Sequence, residues 1–174
     1  MTDTAIAKAL TAFDAAIAAG TEAEAPWRAL EAFAQVAVGA KLFTIMRIEG
    51  DSEVSARVYS SNPGSYPVSG TKPIERTYWF ETLHTRRTPF VANTIGELAK
   101  VFPDHELIWS LGCGSVINWP VIIGDAWVGT VNLLHEEHYY TPERVKAAGA
   151  LSLPAKTAFL AATFLGKKPG PGRI

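Results

Sequence analysis

The chain has 174 residues and a formal net charge of −1; 48% of its residues are hydrophobic and 19% are charged. This composition is typical of a globular domain that buries its own hydrophobic core. The near-balance of charge, with no run of basic residues, excludes nucleic acids and anionic membrane surfaces as expected partners. The only cysteine, Cys113, excludes an intrachain disulfide and a zinc site built on thiolates.

The N-terminal residues and the apolar stretches favour a cytoplasmic location. The first residues, MTDTAIAKAL, include an acid at position 3 and lack the basic region that opens a secretory signal. Charged residues, glycines or prolines interrupt each apolar stretch well before the roughly 18 residues that a membrane-spanning helix needs. We therefore expect no signal peptide, no membrane span and a reducing, cytoplasmic compartment.

Two helices are predicted at the N-terminal end of the chain. Over residues 3–19, apolar side chains recur every three or four residues on one helical face, and Gly20 ends the helix. That face consists of Ile6, Leu10, Phe13 and Ile17. The second helix, over residues 26–38, begins with Pro26, a residue that suits the first helical turn.

Two strands and a long loop follow. Residues 42–48 and 53–59 are rich in β-branched and aromatic side chains, and the Gly50-Asp51 pair between them predicts a hairpin. Residues 60–76 contain four serines, three prolines and two glycines, which predicts a loop. A loop of this length inside a compact domain is usually functional or mobile.

Short elements occupy the middle of the chain, and longer ones its C-terminal part. We predict a short helix over 78–87, a short strand over 90–92, helical turns over 95–111 broken at Pro103, strands over 114–123 and 126–134 joined by Gly124-Asp125, and a helix over 142–165. Thr141 is expected to cap the last helix, and Pro154 to kink or break it. Residues 167–174 are predicted to be disordered.

This order of elements predicts one α+β domain over residues 1–166. Strands joined by hairpins favour an antiparallel sheet, and the terminal helices are free to cover one of its faces. The loop and short helices of residues 60–112 must then cover the other face. That arrangement predicts a pocket between the sheet and its cover.

The segment LGCGSVINWPVIIGDAWVGTVNLLH, residues 111–135, resembles the closing hairpin of GAF domains. It has a strand ending in a proline, a Gly-Asp turn, and a strand of the pattern apolar-Gly-apolar-apolar-Asn-Leu. The order of segments resembles that family over a core of about residues 24–165. The stretches RVYSSNPGSYP (57–67) and PFVAN (89–93) are similar to a bacterial subgroup of the family.

The resemblance implies a six-stranded antiparallel sheet with the terminal helices on one face, often as a dimer bundle, and a ligand pocket roofed by loops and short helices on the other. We accordingly expect the helix over residues 3–19 to serve dimerisation. GAF domains bind cyclic nucleotides, bilins, haem and small metabolites, so the resemblance does not fix the ligand. The attachment cysteine of bilin binders and the Asn-Lys-Phe-Asp-Glu run of cyclic-nucleotide binders are not found here. We expect no cofactor.

Catalysis and metal binding have one candidate each. A relative on the same fold, the free methionine sulfoxide reductase, uses a cysteine nucleophile and a resolving cysteine, and here Cys113 has no second cysteine to resolve it. A lone cysteine is usually a small buried hydrophobe, so we expect no catalytic residue. The run His135-Glu136-Glu137-His138 lacks the four-residue spacing of a helical zinc motif, so we expect no metal.

Two charged or titratable side chains have both a functional and a structural interpretation. His84, followed by Arg86 and Arg87, is placed either to hydrogen-bond a ligand or to form part of an exposed cluster at a helix end. Arg47, in the first strand, is a candidate partner for a ligand carboxylate or phosphate. An exposed strand face is an equally good explanation of Arg47.

Asn118 and Asn132 lie inside apolar strands, where buried amides need hydrogen-bond partners. Strict pairing across Gly124-Asp125 puts the two amides on opposite faces of the sheet. A one-residue bulge puts them on one face with Thr130, Val116 and Pro120, and leaves an apolar face of Ile117, Trp119, Val121, Trp127, Val131 and Leu133. We favour the bulge because it segregates polar from apolar side chains, and structural amides beside a dry pocket are the alternative.

The predicted ligand-binding residues come from the amide face and from the segments that cross it. They combine apolar area with polar tips, as small-molecule pockets of about 300–1,000 Å³ do. The set is Tyr59, Tyr66, Trp79, Phe80, His84, Phe90, Asn93, Cys113, Asn118, Thr130 and Asn132.

The sequence thus predicts a cytoplasmic, homodimeric sensor domain that binds a small organic ligand and passes its signal to a separate output protein. Two alternatives remain open. One is a small enzyme on the same fold, such as a free methionine sulfoxide reductase, which the single Cys113 disfavours. The other is an interaction module whose pocket is vestigial.

Overall fold

A computed structural model describes residues 3–49, 54–68 and 71–167 of the chain. The predicted turn at Gly50-Asp51, the start of the second strand at Glu53 and most of the predicted tail, residues 168–174, lie outside the described residues. The chain divides into two compact units. One comprises residues 1–37 and 150–174, and the other residues 38–149; the prediction of a single domain stays a prediction.

The first unit is helical. Helix α1 spans Asp3–Ala19, α2 spans Ala25–Ala37 and α7 spans Ser152–Gly166, as predicted to within one or two residues apart from the start of α7. Phe13 of α1 packs against Phe33 of α2, with ring centroids 6.1 Å apart. Trp27 meets Phe159 of α7 edge to face at 4.9 Å. These aromatic contacts join the two N-terminal helices to each other and to the distant C-terminal helix α7.

The predicted last helix is interrupted. Helix α6, Pro142–Ala147, is capped by Thr141, whose side chain accepts a hydrogen bond from the Arg144 amide, as predicted. A 3₁₀ turn over Ala148–Leu151 separates α6 from α7. Pro154 therefore lies in the first turn of α7, where its missing N–H removes no helical hydrogen bond.

One helical run, Pro142–Gly166, is long and apolar enough by composition to cross a membrane. Its most apolar window has a mean hydropathy of 1.3, and 44% of that window is buried inside the protein. A core helix passes the same test, so one such run is only a weak indication of a membrane span.

The second unit contains a six-stranded antiparallel sheet in the order β3-β2-β1-β6-β5-β4, and the predicted sheet is confirmed. The strands are β1 Leu42–Glu49, β2 Val54–Ser60, β3 Thr71–Pro73, β4 Phe90–Ala92, β5 Ser115–Ile123 and β6 Ala126–His135. Strand β3 corrects the prediction that residues 60–76 are all loop. It has three residues, too few for an alternating pattern, and it forms an edge where Pro73 is tolerated.

The β5–β6 hairpin has the predicted bulge. Gly124 and Asp125 both have positive φ, 55° and 70°, as a two-residue turn requires, and Ile123 pairs with Ala126. The register then shifts, because Val121 pairs with Gly129 whereas Ile122 pairs with Trp127. The extra residue is Val128.

The bulge puts the two amides on one face of the sheet, called here the amide face. Asn118 pairs with Asn132, and Asn132 pairs with Thr44 of β1. The prediction for Trp127 is wrong. Because Val128 follows it, Trp127 belongs to the amide face and not to the apolar one, on which Ile117, Val131 and Leu133 are fully buried.

Residues 61–68, 74–89 and 93–112 form the cover of the amide face. Helix α3, Tyr78–Phe80, continues into a π-helical turn over Glu81–Thr85, and two further helices, α4 (Ile95–Leu98) and α5 (His105–Ser110), flank the predicted break at Pro103. Thr94 and Glu97 form a capping box at the start of α4. A buried apolar cluster fills much of the space between cover and sheet, and it includes Leu83, Leu98, Ile108, Val116 and Leu134.

Candidate ligand-binding site

The cover leaves a cavity of about 440 Å³ over part of the amide face. This volume lies inside the range of about 300–1,000 Å³ that is typical of small-molecule sites. The sheet contributes Thr44, Met46, Ser55, Arg57, Pro73, Val116, Asn118, Asn132 and Leu134 to the lining, and the cover contributes Tyr66, Ile74, Glu75, Thr77, Trp79, Val101, Phe102, Pro103, Asp104 and Ile108.

A row of hydrogen bonds, called here the amide row, crosses the floor of the cavity. Trp79 donates through Nε1 to Asn118 Oδ1 at 2.9 Å. Asn118 Nδ2 donates to Asn132 Oδ1 at 2.7 Å, and Asn132 Nδ2 donates to Thr44 Oγ1 at 3.1 Å. Each amide nitrogen carries two hydrogens, of which the row uses one. The second hydrogen of each amide takes no part in the row.

A second polar cluster consists of Arg57, Tyr66 and Asp104. The Arg57 guanidinium lies 3.8 Å from the centroid of the Tyr66 ring, and its Nη1 donates to the Pro67 carbonyl at 2.8 Å. The Tyr66 hydroxyl donates to Asp104 Oδ2 at 2.6 Å. Burial and this bond to a carboxylate raise the pKa of Tyr66, which keeps the hydroxyl protonated.

Sequence reasoning considered Arg47 and missed Arg57. Arg47 pairs with Ala56 and Gly129, which puts it on the sheet face opposite the amides. Arg57 pairs with Met46 on the amide face. Both arginines lie in alternating strands, so only the pairing register distinguishes them.

Four of the predicted site residues line the cavity together: Tyr66, Trp79, Asn118 and Asn132. Thr130 lies on the amide face, paired with Pro120 and Met46, but outside the lining. Its buried hydroxyl has no hydrogen-bond partner among the described residues.

Phe80 and His84 do not line the cavity because they pack around Trp127. The His84 ring stacks on Phe80 with centroids 4.6 Å apart, and both rings contact the Trp127 indole, at 5.7 and 5.9 Å. His84 is therefore half-buried in an aromatic cluster, which differs from the exposed helix-end cluster suggested by the sequence. Sequence reasoning missed this contact because it put Trp127 on the other face of the sheet.

Tyr59 is also outside the cavity. The pairing of β1 with β2 shifts between Ile45 and Met46, so Tyr59 pairs with Ile45 and belongs to the apolar face. There its ring contacts Phe43 edge to face at 6.1 Å. A bulge in β2 was not predicted, and it reverses the direction of every side chain beyond it.

The remaining predicted site residues, Phe90, Asn93 and Cys113, lie outside the cavity lining. Phe90 packs edge to face against Phe102 at 6.1 Å, behind the lining. Asn93 donates to the Tyr140 carbonyl at 3.1 Å, which ties the start of α4 to the segment after β6. Cys113 is fully buried, and burial raises its pKa to about 11.

His135, the last residue of β6, has a structural contact. The His135 ring stacks on Tyr139 with centroids 3.4 Å apart, and burial lowers the pKa of His135. Within residues 3–49, 54–68 and 71–167, no three His, Cys, Asp or Glu side chains come close enough together to hold a metal ion.

Comparison with known proteins gives the fold. No protein-family model matches the chain, and no curated protein does either. Among solved structures, the GAF domain of an Acinetobacter phosphoenolpyruvate-protein phosphotransferase has a TM-score of 0.69 at 10% identity, with 97% of this chain and 100% of that chain covered. The GAF domain of a two-component sensor histidine kinase from Bacillus halodurans has a TM-score of 0.68 at 10% identity, with 85% and 100% covered.

A third similar structure is an enzyme. The free methionine-R-sulfoxide reductase from Neisseria meningitidis, solved with its substrate, has a TM-score of 0.64 at 14% identity, with 94% of this chain and 95% of that chain covered. The chain therefore has the GAF fold, and the resemblance of residues 111–135 is confirmed at the level of the fold. At these identities the comparisons extend no further.

Proposed function

We propose that this GAF-fold domain is a sensor module that binds a small organic molecule in the cavity over the amide row. The observation that carries the proposal is the cavity of about 440 Å³, which has hydrogen-bonding groups in its floor and apolar side chains around them. Such a combination is typical of sites for small molecules. The reducing cytoplasm, which suits a protein with one cysteine, is the proposed compartment.

The amide row supports this proposal. A sheet that only needed a core could place apolar side chains at Asn118 and Asn132, since a buried amide is costly unless it is hydrogen-bonded. Here both amides are only 4% exposed, and they bond to each other and to side chains rather than to backbone. Their second hydrogens remain for a ligand that the cavity admits.

A reductase activity is the alternative, and the environment of Cys113 argues against it. The thiolate is the nucleophilic form of cysteine, and the raised pKa of about 11 suppresses it at neutral pH. The thiol is fully buried and belongs to the apolar cluster under the cover. The chain also has no second cysteine to resolve an oxidised one.

Signal transfer by a sensor module requires a surface for a partner. We propose a homodimer formed by the helical unit, with a separate output protein as the recipient of the signal. Leu153 and Leu160 lie seven residues apart on α7 and are 69% and 58% exposed. In α1, Phe13 is already packed on Phe33, so α7 offers the larger exposed apolar side chains. One of the similar structures comes from a sensor histidine kinase.

Native mass spectrometry of the protein purified from its own host tests ligand binding. We expect a bound small molecule that weighs the same in repeated preparations and that dissociates on unfolding. A thermal-shift screen of a metabolite library follows, with melting temperature as the readout. The proposal is wrong if no molecule is retained and no compound in the library stabilises the protein.

Sedimentation tests the dimer. We expect the wild-type protein to sediment at twice the mass of the chain and the Leu160→Glu variant to sediment as a monomer, because a charge cannot be buried between two apolar faces. Glu106→Gln, an exposed change outside the helical unit, is the control and should leave the dimer intact. A wild-type monomer at micromolar concentration would remove the dimer from the proposal.

A further inference from the structure

Among the described residues, three charged side chains line the cavity: Arg57, Glu75 and Asp104. One is a cation and two are carboxylates, so the lining is negatively charged as a set. A phosphate or a dicarboxylate would meet two carboxylates for one guanidinium. The charges of the lining therefore disfavour a simple anion as the ligand.

The Arg57 guanidinium is held in position without a counterion. The Tyr66 ring supports its face, and the Pro67 carbonyl takes one of its five N–H donors. Within the described part of the chain, no carboxylate lies within 4.0 Å of its nitrogens, and its buried Nε has no hydrogen-bond partner. A partly buried charge of this kind is stabilised by a partner, and the planar guanidinium fits a carboxylate.

Asp104 is held from the other end of the same tyrosine. Its Oδ2 accepts the Tyr66 hydroxyl at 2.6 Å, and no lysine or arginine among the described residues forms an ion pair with it. A carboxylate can accept several hydrogen bonds, so Asp104 can also accept one from a ligand. Tyr66 thus lies between the Arg57 guanidinium, at the face of its ring, and the Asp104 carboxylate, at its hydroxyl.

The positions of Arg57 and Asp104 restrict the class of ligand more closely than the volume of the cavity does. We propose that the cavity binds a small zwitterion of the α-amino-acid class, with its carboxylate on Arg57 and its ammonium group on Asp104. The side chain of the ligand lies against the apolar lining, which includes Phe102, Ile108 and Leu134. This inference rests on the proposed function, since it assigns a ligand class to the same cavity.

Matched probes test the two charges separately. The twenty common L-amino acids are titrated at millimolar concentration, with melting temperature and then calorimetry as readouts. The amino acid that binds best is compared with its N-acetyl derivative, which lacks the ammonium group, and with its primary amide, which lacks the carboxylate. We expect each derivative to bind about tenfold more weakly or worse, the scale of one lost charged hydrogen bond.

Two variants test which residue binds each charged group of the ligand. In Arg57→Gln, the amino acid and its amide should bind equally, because the partner of the carboxylate is gone. In Asp104→Asn, which keeps an oxygen for the Tyr66 hydroxyl, the amino acid and its N-acetyl derivative should bind equally. The controls Arg86→Gln and Glu106→Gln remove the same charges at exposed positions outside the lining and should preserve both differences.

The outcomes distinguish this inference from the proposed function. If no amino acid binds but a neutral or anionic metabolite stabilises the protein, the ligand class is wrong and the sensor function stands. The ligand class is also wrong if the derivatives bind as well as the parent amino acid, or if the two variants keep the full discrimination. If nothing binds at all, both proposals fail.

Discussion

The two ends of the amide face lie under one cover, yet one end is packed and the other holds the cavity. At the hairpin end, Trp127 fills the space and contacts Phe80 and His84. At the other end, the floor consists of shorter side chains such as Asn118 and Asn132, and a cavity remains. Both ends are lined by aromatic and polar residues, so composition does not distinguish them. The single extra residue, Val128, puts the large indole on the amide face at the hairpin end.

Trp79 connects the two ends. Its ring contacts Trp127 edge to face at 5.8 Å, and its Nε1 donates to Asn118 in the floor of the cavity. The packed end therefore positions the first donor of the amide row. A well-packed neighbour can thus position a ligand-binding side chain without itself contacting the ligand.

Of the substitutions considered, Trp127→Ala should have the largest effect, because it removes the packing at the hairpin end. Removing the indole leaves a cavity at the packed end, and we expect a loss of about 3–5 kcal/mol in the free energy of unfolding, measured by urea denaturation. The control is Trp109→Ala, because Trp109 is 54% exposed. It should destabilise the protein less than Trp127→Ala does, because about half of its surface is already exposed to solvent. Equal effects of the two substitutions would mean that the hairpin end is not packed as described.

Asn132→Leu should change the open end with a smaller effect. It removes two hydrogen bonds of the amide row, and we expect the molecule retained from the host to bind about tenfold more weakly or worse. Asn62→Leu, the same change at an exposed position outside the cavity, removes one hydrogen bond to the Ser65 amide and should weaken binding less. Circular dichroism would check that both variants are folded. Unchanged affinity in folded Asn132→Leu would place the ligand elsewhere.

The burial of Cys113 under the cover can be tested by the pH dependence of stability. Because burial raises its pKa from the ordinary 9.0 to about 11, the contribution of the protonated thiol to stability is present below pH 9 and is lost as pH rises from 9 to about 11. Alkylation of the thiol should be slow at neutral pH. Cys113→Ser should abolish the alkylation and cost only about 1 kcal/mol. Fast alkylation of the folded wild type at pH 7 would contradict the burial.

Much of the fold could be predicted because its signals are local. Alternating strands, the Gly124-Asp125 turn and the capping residue Thr141 each act within a few residues. The bulge in the β5–β6 hairpin could also be predicted, since it alone groups Asn118 with Asn132. The side chains that the prediction misplaced depend on where a bulge lies, and no residue type marks that position.

Those misplacements account for the parts of the site that were missed. Tyr59 and Trp127 each lie on the face opposite to the predicted one because of a one-residue shift. His84 follows Trp127 into the packed end. Arg57 could not be preferred over Arg47 without the register of β1 and β2, which is set by pairing between strands rather than by either sequence.

The amide row has a consequence for how this sequence can change over generations. Its donors all point one way, from Trp79 through Asn118 and Asn132 to Thr44, so each amide uses its oxygen for one neighbour and its nitrogen for the next. Replacing either amide alone leaves a buried group of the other unpaired, which is costlier than replacing both by apolar side chains. The two asparagines should therefore be inherited or lost together, as a pair under joint selection.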